Sequence, residues 1–275
     1  MNDAVLPPRR RPRRNRAALA LGIYTLCFMI FLLLPMIVVV VVSFSNASYI
    51  AFPIHALSLR WYRVAFEYGP FMQSLKVSLQ IALGSALLGA ILGVPAALWA
   101  ARSHSPLAGA VSSFLLAPIS VAAIVLGFSL LYMLSAMSLG VSFLSLMITH
   151  TVVAIPYIAR TVLAVYRSVP HDIEEAAAVL GASRWNTFRF VTLPAIRPGI
   201  FAGGMFAVLI SMDNLPLSFF FGSASTNTLP VVMLSYMQNQ FDPSIAAIST
   251  IQMLIAVAAL LVINKLYGIE KLTAA

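Results

Sequence analysis

Six long apolar stretches separated by polar segments organise the chain. They run Ala17–Ser43, Met72–Ala101, Gly109–Ser135, Val141–Tyr166, Gly199–Phe221 and Pro243–Tyr267. About 20 consecutive apolar residues carry a helix across a hydrocarbon core, so each stretch predicts one transmembrane helix. The first has an apolar core from Ala17 to Val42, far longer than the ~7–15 residues of a secretory signal core. It is therefore read as a retained span. Gly89-x-x-x-Gly93 and Gly199-x-x-x-Gly203 place small residues one helical turn apart, a spacing that lets helix backbones approach closely in lipid. Pro35, Pro95, Pro118, Pro156 and Pro216 lie within or near the spans, where neighbouring helices can satisfy the carbonyls that proline frees.

Two of the connecting segments carry their own pattern. In the segment from Phe44 to Pro70, Ser58 can cap a short helix bearing Leu59, Trp61, Tyr62 and Phe66. Its aromatic residues predict a position in the headgroup layer. Residues Gly222 to Asp242 are rich in Ser, Thr and Asn and read as plain surface. No internal repeat or soluble linker divides the chain. The expected organisation is a basic tail, residues 1–16, followed by one transmembrane domain, residues 17–275, with a structured loop over residues 167–198.

Composition strengthens the membrane reading. Hydrophobic residues make up 61% of the 275 and charged residues 9%, against about 25% charged in a soluble domain. The distribution of the 17 basic residues sets the direction. With the N-terminus inside, the inner segments hold Arg9, Arg10, Arg11, Arg13, Arg14, Arg16, Arg102, Arg160, Arg167, Arg184, Arg189, Arg197, Lys265 and Lys271. The outer side keeps only Arg60, Arg63 and Lys76. The positive-inside rule then predicts both termini in the cytoplasm. The net charge of +9 comes largely from the N-terminal arginines, which suit anionic lipid. No basic stripe interleaved with aromatic residues follows, so nucleic acid is not an expected partner.

The loop between the fourth and fifth stretches is the most informative segment. Asp172 is a good N-cap, with Glu175 at capping-box spacing. Glu174 and Glu175 suit the positive end of a helix dipole. Ala176, Ala177 and Ala178 favour helix and leave one side thin. Gly181 can supply a left-handed stop. Ser183 can cap a second helix through Val191, which Pro194 is expected to end. A short stiff helix of this kind can press into a groove on another protein and transmit its motion.

Here the sequence resembles a known family. Glu175-Ala176-Ala177, then Gly181, then Leu193-Pro194 resembles the EAA loop of permease subunits of bacterial ATP-binding-cassette (ABC) importers. The order of six spans around that loop is similar to the type I importer fold. The resemblance implies an all-α transmembrane six-helix bundle with cytoplasmic termini, in the bacterial inner membrane. It implies that Glu174, Glu175, Ala176, Ala177, Gly181, Leu193 and Pro194 form the coupling site for a separate ATPase. The implied partners are a homologous permease subunit, two ATP-binding subunits that carry the ATP and Mg, a periplasmic solute-binding protein and membrane lipid. Ser43-Phe44-Ser45, Trp61-Tyr62, Leu180-Gly181-Ala182-Ser183 and Ser211-Met212-Asp213-Asn214 resemble the second permease of spermidine/putrescine importers. Those permeases usually carry two consecutive acids where this chain has Asp213-Asn214. Relatives of that subfamily are also associated with amino-acid-like, opine and phosphonate solutes.

Asp213 is the only acid within an apolar stretch, about 21 Å along it by helical rise. An ionisable group at that depth marks a pathway or a partner. Asp213 and Asn214 are thus the candidate substrate-pathway residues, with repair of the backbone freed by Pro216 as the structural alternative. Glu67 and Asp242 read as outer-surface acids, and His150 as a packed, hydrogen-bonded residue. The sequence has no Gly-x-x-x-x-Gly-Lys phosphate loop and no His-Glu-x-x-His. No catalytic residue, metal site or resident cofactor is expected. A lone cysteine, Cys27, can form no intrachain disulfide. The alternative function is an ion-coupled secondary transporter, which would be expected to show an internal repeat.

Overall fold

The computed structural model describes residues 16–267 except 52, 104, 171, 224 and 225. The expected basic tail therefore lies almost wholly outside the described residues, as do His104 and His171. The described chain is helical. Helix α1 (Arg16–Ser43) leads to a short α2 (Arg60–Glu67) and a long α3 (Gly69–Arg102). Helices α4 (Pro106–Ser120), α5 (Ala123–Ala136) and α6 (Phe143–Ser168) follow. The loop helices α7 (Asp172–Val179) and α8 (Arg184–Thr187) precede α9 (Leu193–Asp213), α10 (Leu215–Phe219), α11 (Leu229–Asn239) and α12 (Ser244–Tyr267).

Helix α6 is the centre of the bundle, and the two small-residue pairs explain why. Gly89 and Gly93 of α3 lie against Ala154, Ile155 and Ile158 of α6. Gly199 and Gly203 of α9 lie against the backbone of the turn from Tyr157 to Val162 on the same helix. At that contact Thr161 Oγ1 donates to the Gly199 carbonyl across 3.0 Å. Without side chains at these positions the backbones close to van der Waals contact, the main source of helix association where lipid is as apolar as leucine.

The contacts also fix the direction of each helix. Val77 and Ile81 near the start of α3 pack with Leu146 near the start of α6. Val94 and Leu98 near the end of α3 pack with Ile158 and Val162. The two helices are therefore parallel, and the chain between them must return across the bundle. It does so through α4 and α5, which bend by 110° at residues 121–122. The single straight span expected over Gly109–Ser135 is thus a broken one. Val121 and Ala122 are extended, and Pro118 just before the break lacks the N–H that would continue the helical ladder. Helix α9 runs antiparallel to α6. Helix α1 packs chiefly along α12 and is otherwise exposed.

Three further expectations are corrected. Trp61 is buried, and its Nε1 donates to the Ala47 carbonyl at 3.1 Å. Tyr62 shares a 2.7 Å hydrogen bond with Ser43 at the end of α1. Ser58 accepts from the Arg60 N–H at 3.1 Å, although the cap position itself falls on Leu59. Residues 222–242 are not plain surface, because α11 buries Leu229, Val231 and Tyr236. The polar residues ahead of it disguise an apolar run that Leu229-Pro230 starts and that is too short to span. Asp242 is not merely solvated: it accepts from Tyr236 Oη at 2.8 Å and from the Ser244 N–H at 2.9 Å, which caps α12.

The α6–α9 contact has a direct test. A Cβ at Gly203 would collide with Thr161 Oγ1 and crowd the Ile158 backbone, whereas one at neighbouring Gly204 meets nothing within 4 Å. Gly203→Ala is expected to cost about 1–3 kcal/mol through overpacking, and Gly204→Ala close to nothing. Thermal melting of the detergent-purified chain checks this, and equal melting temperatures for the two variants would contradict the packing.

Candidate functional site

The loop helix α7 begins with Asp172 already helical, not as the cap residue that was expected there. Its end follows the expectation closely. Gly181 has φ +82°, the Ala182 N–H donates to the Ala177 carbonyl, and the Gly181 N–H donates to the Ala178 carbonyl, both at 3.0 Å. This is a Schellman stop, which an L side chain at Gly181 would strain. Ser183 Oγ then accepts from the Asn186 N–H at 3.3 Å and opens α8.

Pro194 does not end that second helix. Residues Phe188–Thr192 form a wide π turn, in which the Leu193 N–H donates to the Phe188 carbonyl. The wider turn shifts the ladder where Pro194 would clash with the carbonyl four residues back. The helix continues from Arg184 to Asp213. Leu193 is half-buried and Pro194 exposed at the start of α9.

The two glutamates of the loop face different ways. Glu175 is exposed. The Glu174 side chain is only 11% exposed and pairs with Arg102 at the end of α3. It also accepts from buried Thr192 in the π turn and, at 3.2 Å, from Tyr166 Oη near the end of α6. Arg102 donates to Tyr166 at 2.8 Å and to Thr192 at 3.1 Å, with its guanidinium 5.3 Å from the Tyr166 ring centre. One carboxylate thereby joins α7 to α3, α6 and the head of α9. Nothing in the sequence pattern marks Arg102, Tyr166 or Thr192 as a group. The available signal is an acid in a loop helix with no Lys or Arg three or four positions away.

Burial alone would raise the Glu174 carboxyl. The hydrogen bonds from Thr192 and Arg102, the Arg102 charge and the Tyr166 hydroxyl outweigh it and hold the group below the usual carboxylate range. Around this cluster the loop surface is apolar. Val179 and Leu180 are each 87% exposed, and Trp185 and Phe190 are also open. An open apolar patch of this kind is suited to contact with another molecule.

The second candidate lies toward the opposite end of the bundle. Helix α9 stops at Asp213, and Asn214 restarts the chain as α10 by accepting from the Leu217 N–H at 3.2 Å. Asn214 thus performs the backbone repair near Pro216, while Asp213 remains exposed on an open groove with Leu209, Ile210, Asn214 and Pro216. The break is held from two sides. Gln252 Nε2 reaches the Met212 carbonyl at 3.4 Å. Buried His150 bonds Ser211 on α9 at 2.8 Å and Ser218 on α10 at 3.0 Å. Gln252 is eight residues into α12, roughly 12 Å by helical rise, so the end of α9 lies beside the third turn of α12. Among the described residues no group of three or more His, Cys, Asp or Glu could hold a metal.

Five long apolar helices and one bent pair make the chain a multi-spanning helical bundle. The family described as binding-protein-dependent transport system inner membrane component matches residues 93–269. The putrescine transport system permease protein PotI of Escherichia coli (strain K12) is 30% identical over 228 residues, 80% of this chain and 81% of that protein. The spermidine/putrescine permease protein PotC of Haemophilus influenzae is 28% identical over 86% of this chain and 91% of its own length. The molybdenum transport permease ModB of Mycobacterium bovis is 30% identical over 81% and 90%. In fold, the chain is similar to a bacterial ABC transporter involved in import of the acidic polysaccharide alginate, with TM-score 0.65, 19% identity and coverage of 95% and 96%. The chain belongs to the binding-protein-dependent transport system inner membrane components. It is a multi-pass permease subunit of an ATP-driven importer in the bacterial inner membrane, and the ion-coupled alternative is set aside.

The Glu174 cluster predicts a pH dependence. A depressed carboxyl contributes stability that is full above its unfolded value of about 4.3 and is lost as pH falls through the folded value. Glu174→Gln is expected to cost about 2 kcal/mol near neutrality. The melting difference from the parent chain should hold from pH 7 to about pH 5 and shrink below about pH 4. A difference constant down to pH 3 would contradict the ion pair.

Proposed function

We propose that the chain imports a small organic cation, a polyamine or related amine, along a pathway that passes Asp213, and that α7 couples this pathway to an ATPase. The carrying observation is Asp213 itself: an exposed carboxylate at the C-terminal end of α9, inside the apolar stretch Gly199–Phe221. The last carbonyls of α9 and the carboxylate add to one negative potential, and broken helix ends in transporters serve cations in this way. That charge favours an amine over an oxyanion such as molybdate. The names of the putrescine and spermidine relatives support the same reading.

The basic residues orient the α7 end of the bundle to the cytoplasm. There the exposed Val179, Leu180 and Trp185 surface, on either side of the Schellman stop at Gly181, receives an ATP-binding subunit. ATP and Mg are bound and hydrolysed by that partner. A homologous permease completes the pathway, a second ATP-binding subunit sits beneath it, and a periplasmic solute-binding protein delivers solute from the opposite face. ATP-driven closure of the ATPase pair moves α7 and shifts the spans between inward-open and outward-open arrangements.

Uptake of radiolabelled putrescine by the complete importer in membrane vesicles tests this. Asp213→Asn is expected to raise KM about tenfold, the loss of roughly one charged contact. Gly181→Val is expected to lower uptake at least tenfold with insertion intact; the added side chain meets open space, so its effect is backbone strain alone. Putrescine kinetics unchanged by Asp213→Asn would remove the pathway acid. Uptake of molybdate and not putrescine would overturn the cation assignment.

A further inference from the structure

Glu174 lies beside the exposed contact surface but does not belong to it. Its carboxylate is turned inward onto Arg102, Tyr166 and Thr192. Those three residues stand at the loop ends of α3, α6 and the α8–α9 junction. α3, α6 and α9 are the helices pressed together by the glycine contacts. A second route between α7 and these spans runs through the backbone alone, by Val169 and Pro170 on one side and Gly181–Ser183 on the other. Neither segment is helical among its described residues, and a segment with no helical ladder bends under load. The side-chain cluster is therefore the stiff connection.

We propose that Arg102 and Glu174 form an internal strut that makes α7, α3, α6 and α9 move as one body, with Glu174 a positioning residue and not an ATPase contact. The strut rests on the coupling reading of α7. Its geometry makes a specific division of labour. Leu180 and its apolar neighbours hold the ATPase, and Glu175 faces outward beside them. Glu174 and Arg102 deliver the displacement of α7 to the spans. Removing the strut leaves the ATPase docked and α7 free to tilt on its two hinges, so nucleotide no longer moves the pathway. The charges serve as a pair, so exchanging them keeps the attraction while reversing its sense. Tyr166 and Thr192 are hydroxyls that donate to a carboxylate or accept from a guanidinium, and so accommodate either order.

The test needs no knowledge of the solute. In the complete importer, with Cys27→Ser as background, a single cysteine at Ile210→Cys reports access to the Asp213 groove by its rate of maleimide labelling with and without ATP and vanadate. The parent importer is expected to show at least a fivefold nucleotide effect. Glu174→Gln is expected to abolish that effect while the ATPase still co-purifies. The reversed pair Arg102→Glu with Glu174→Arg is expected to restore at least half of it, whereas each single reversal does not. Leu180→Asp is expected to lose the ATPase altogether. A full nucleotide effect in Glu174→Gln, or a reversed pair no better than the single reversals, overturns the strut. Loss of the ATPase from Glu174→Gln would make it a docking residue and likewise overturn it. An absent effect in the parent, or an ATPase retained by Leu180→Asp, overturns instead the coupling reading on which the strut stands.

Discussion

Backbone hydrogen bonding in a medium without water is the constraint on which this structure depends. Lipid offers no partner to a free N–H or C=O, so a spanning chain stays helical unless the bundle itself repairs each interruption. The fifth span departs from regular helix twice, and both departures are repaired. The π turn at Phe188–Thr192 carries the ladder past Pro194. Asn214 caps the restart at α10, with Gln252 reaching the Met212 carbonyl and His150 bridging Ser211 to Ser218 across the gap. Both departures fall beside a candidate functional group: the first presents Thr192 to Glu174, and the second leaves Asp213 open. Irregular backbone is expensive in lipid, and here it is spent on placing a polar group.

The same constraint accounts for the close packing at α6. With no hydrophobic drive between helices in lipid, proximity itself supplies the attraction. Gly89, Gly93, Gly199 and Gly203 bring α3 and α9 onto one central helix. The bundle thereby has a rigid middle, while α1 lies against α12 at the margin. A displacement applied at the loop end of α3, α6 and α9 reaches Asp213 through that rigid middle, about 30 Å along α9 by helical rise.

Much of this was legible in the sequence because it is written in local pattern. Apolar length located the spans, Gly181 announced its positive φ, and the glycine pairs announced close contacts. The misreadings concern side-chain partners that apolar and polar pattern alone does not reveal. Pro118 gave notice of a kink, but only the parallel packing of α3 and α6 shows that the third span must break and still cross. The pattern around Trp61 gives no sign that its indole N–H meets the Ala47 carbonyl. Asp242 reads as an outer-surface acid, with no sign that it accepts from Tyr236 and Ser244. Glu174 and Glu175 are indistinguishable as neighbours in a motif. Arg102, 72 positions from Glu174, is what separates an inward anchor from an outward-facing charge. The pathway acid was visible as a lone charge in an apolar run, but the helix end on which it sits was not.

The contact proposed for the α7 end of the bundle is with an ATP-binding subunit. Its most direct test is a photoreactive amino acid placed at Leu180 in native membranes, with the adduct identified by mass spectrometry, beside the same probe at Leu59 on the opposite face. An adduct with an ATP-binding subunit is expected from position 180 and none from position 59. No such adduct from position 180, or the same adduct from both positions, would contradict it.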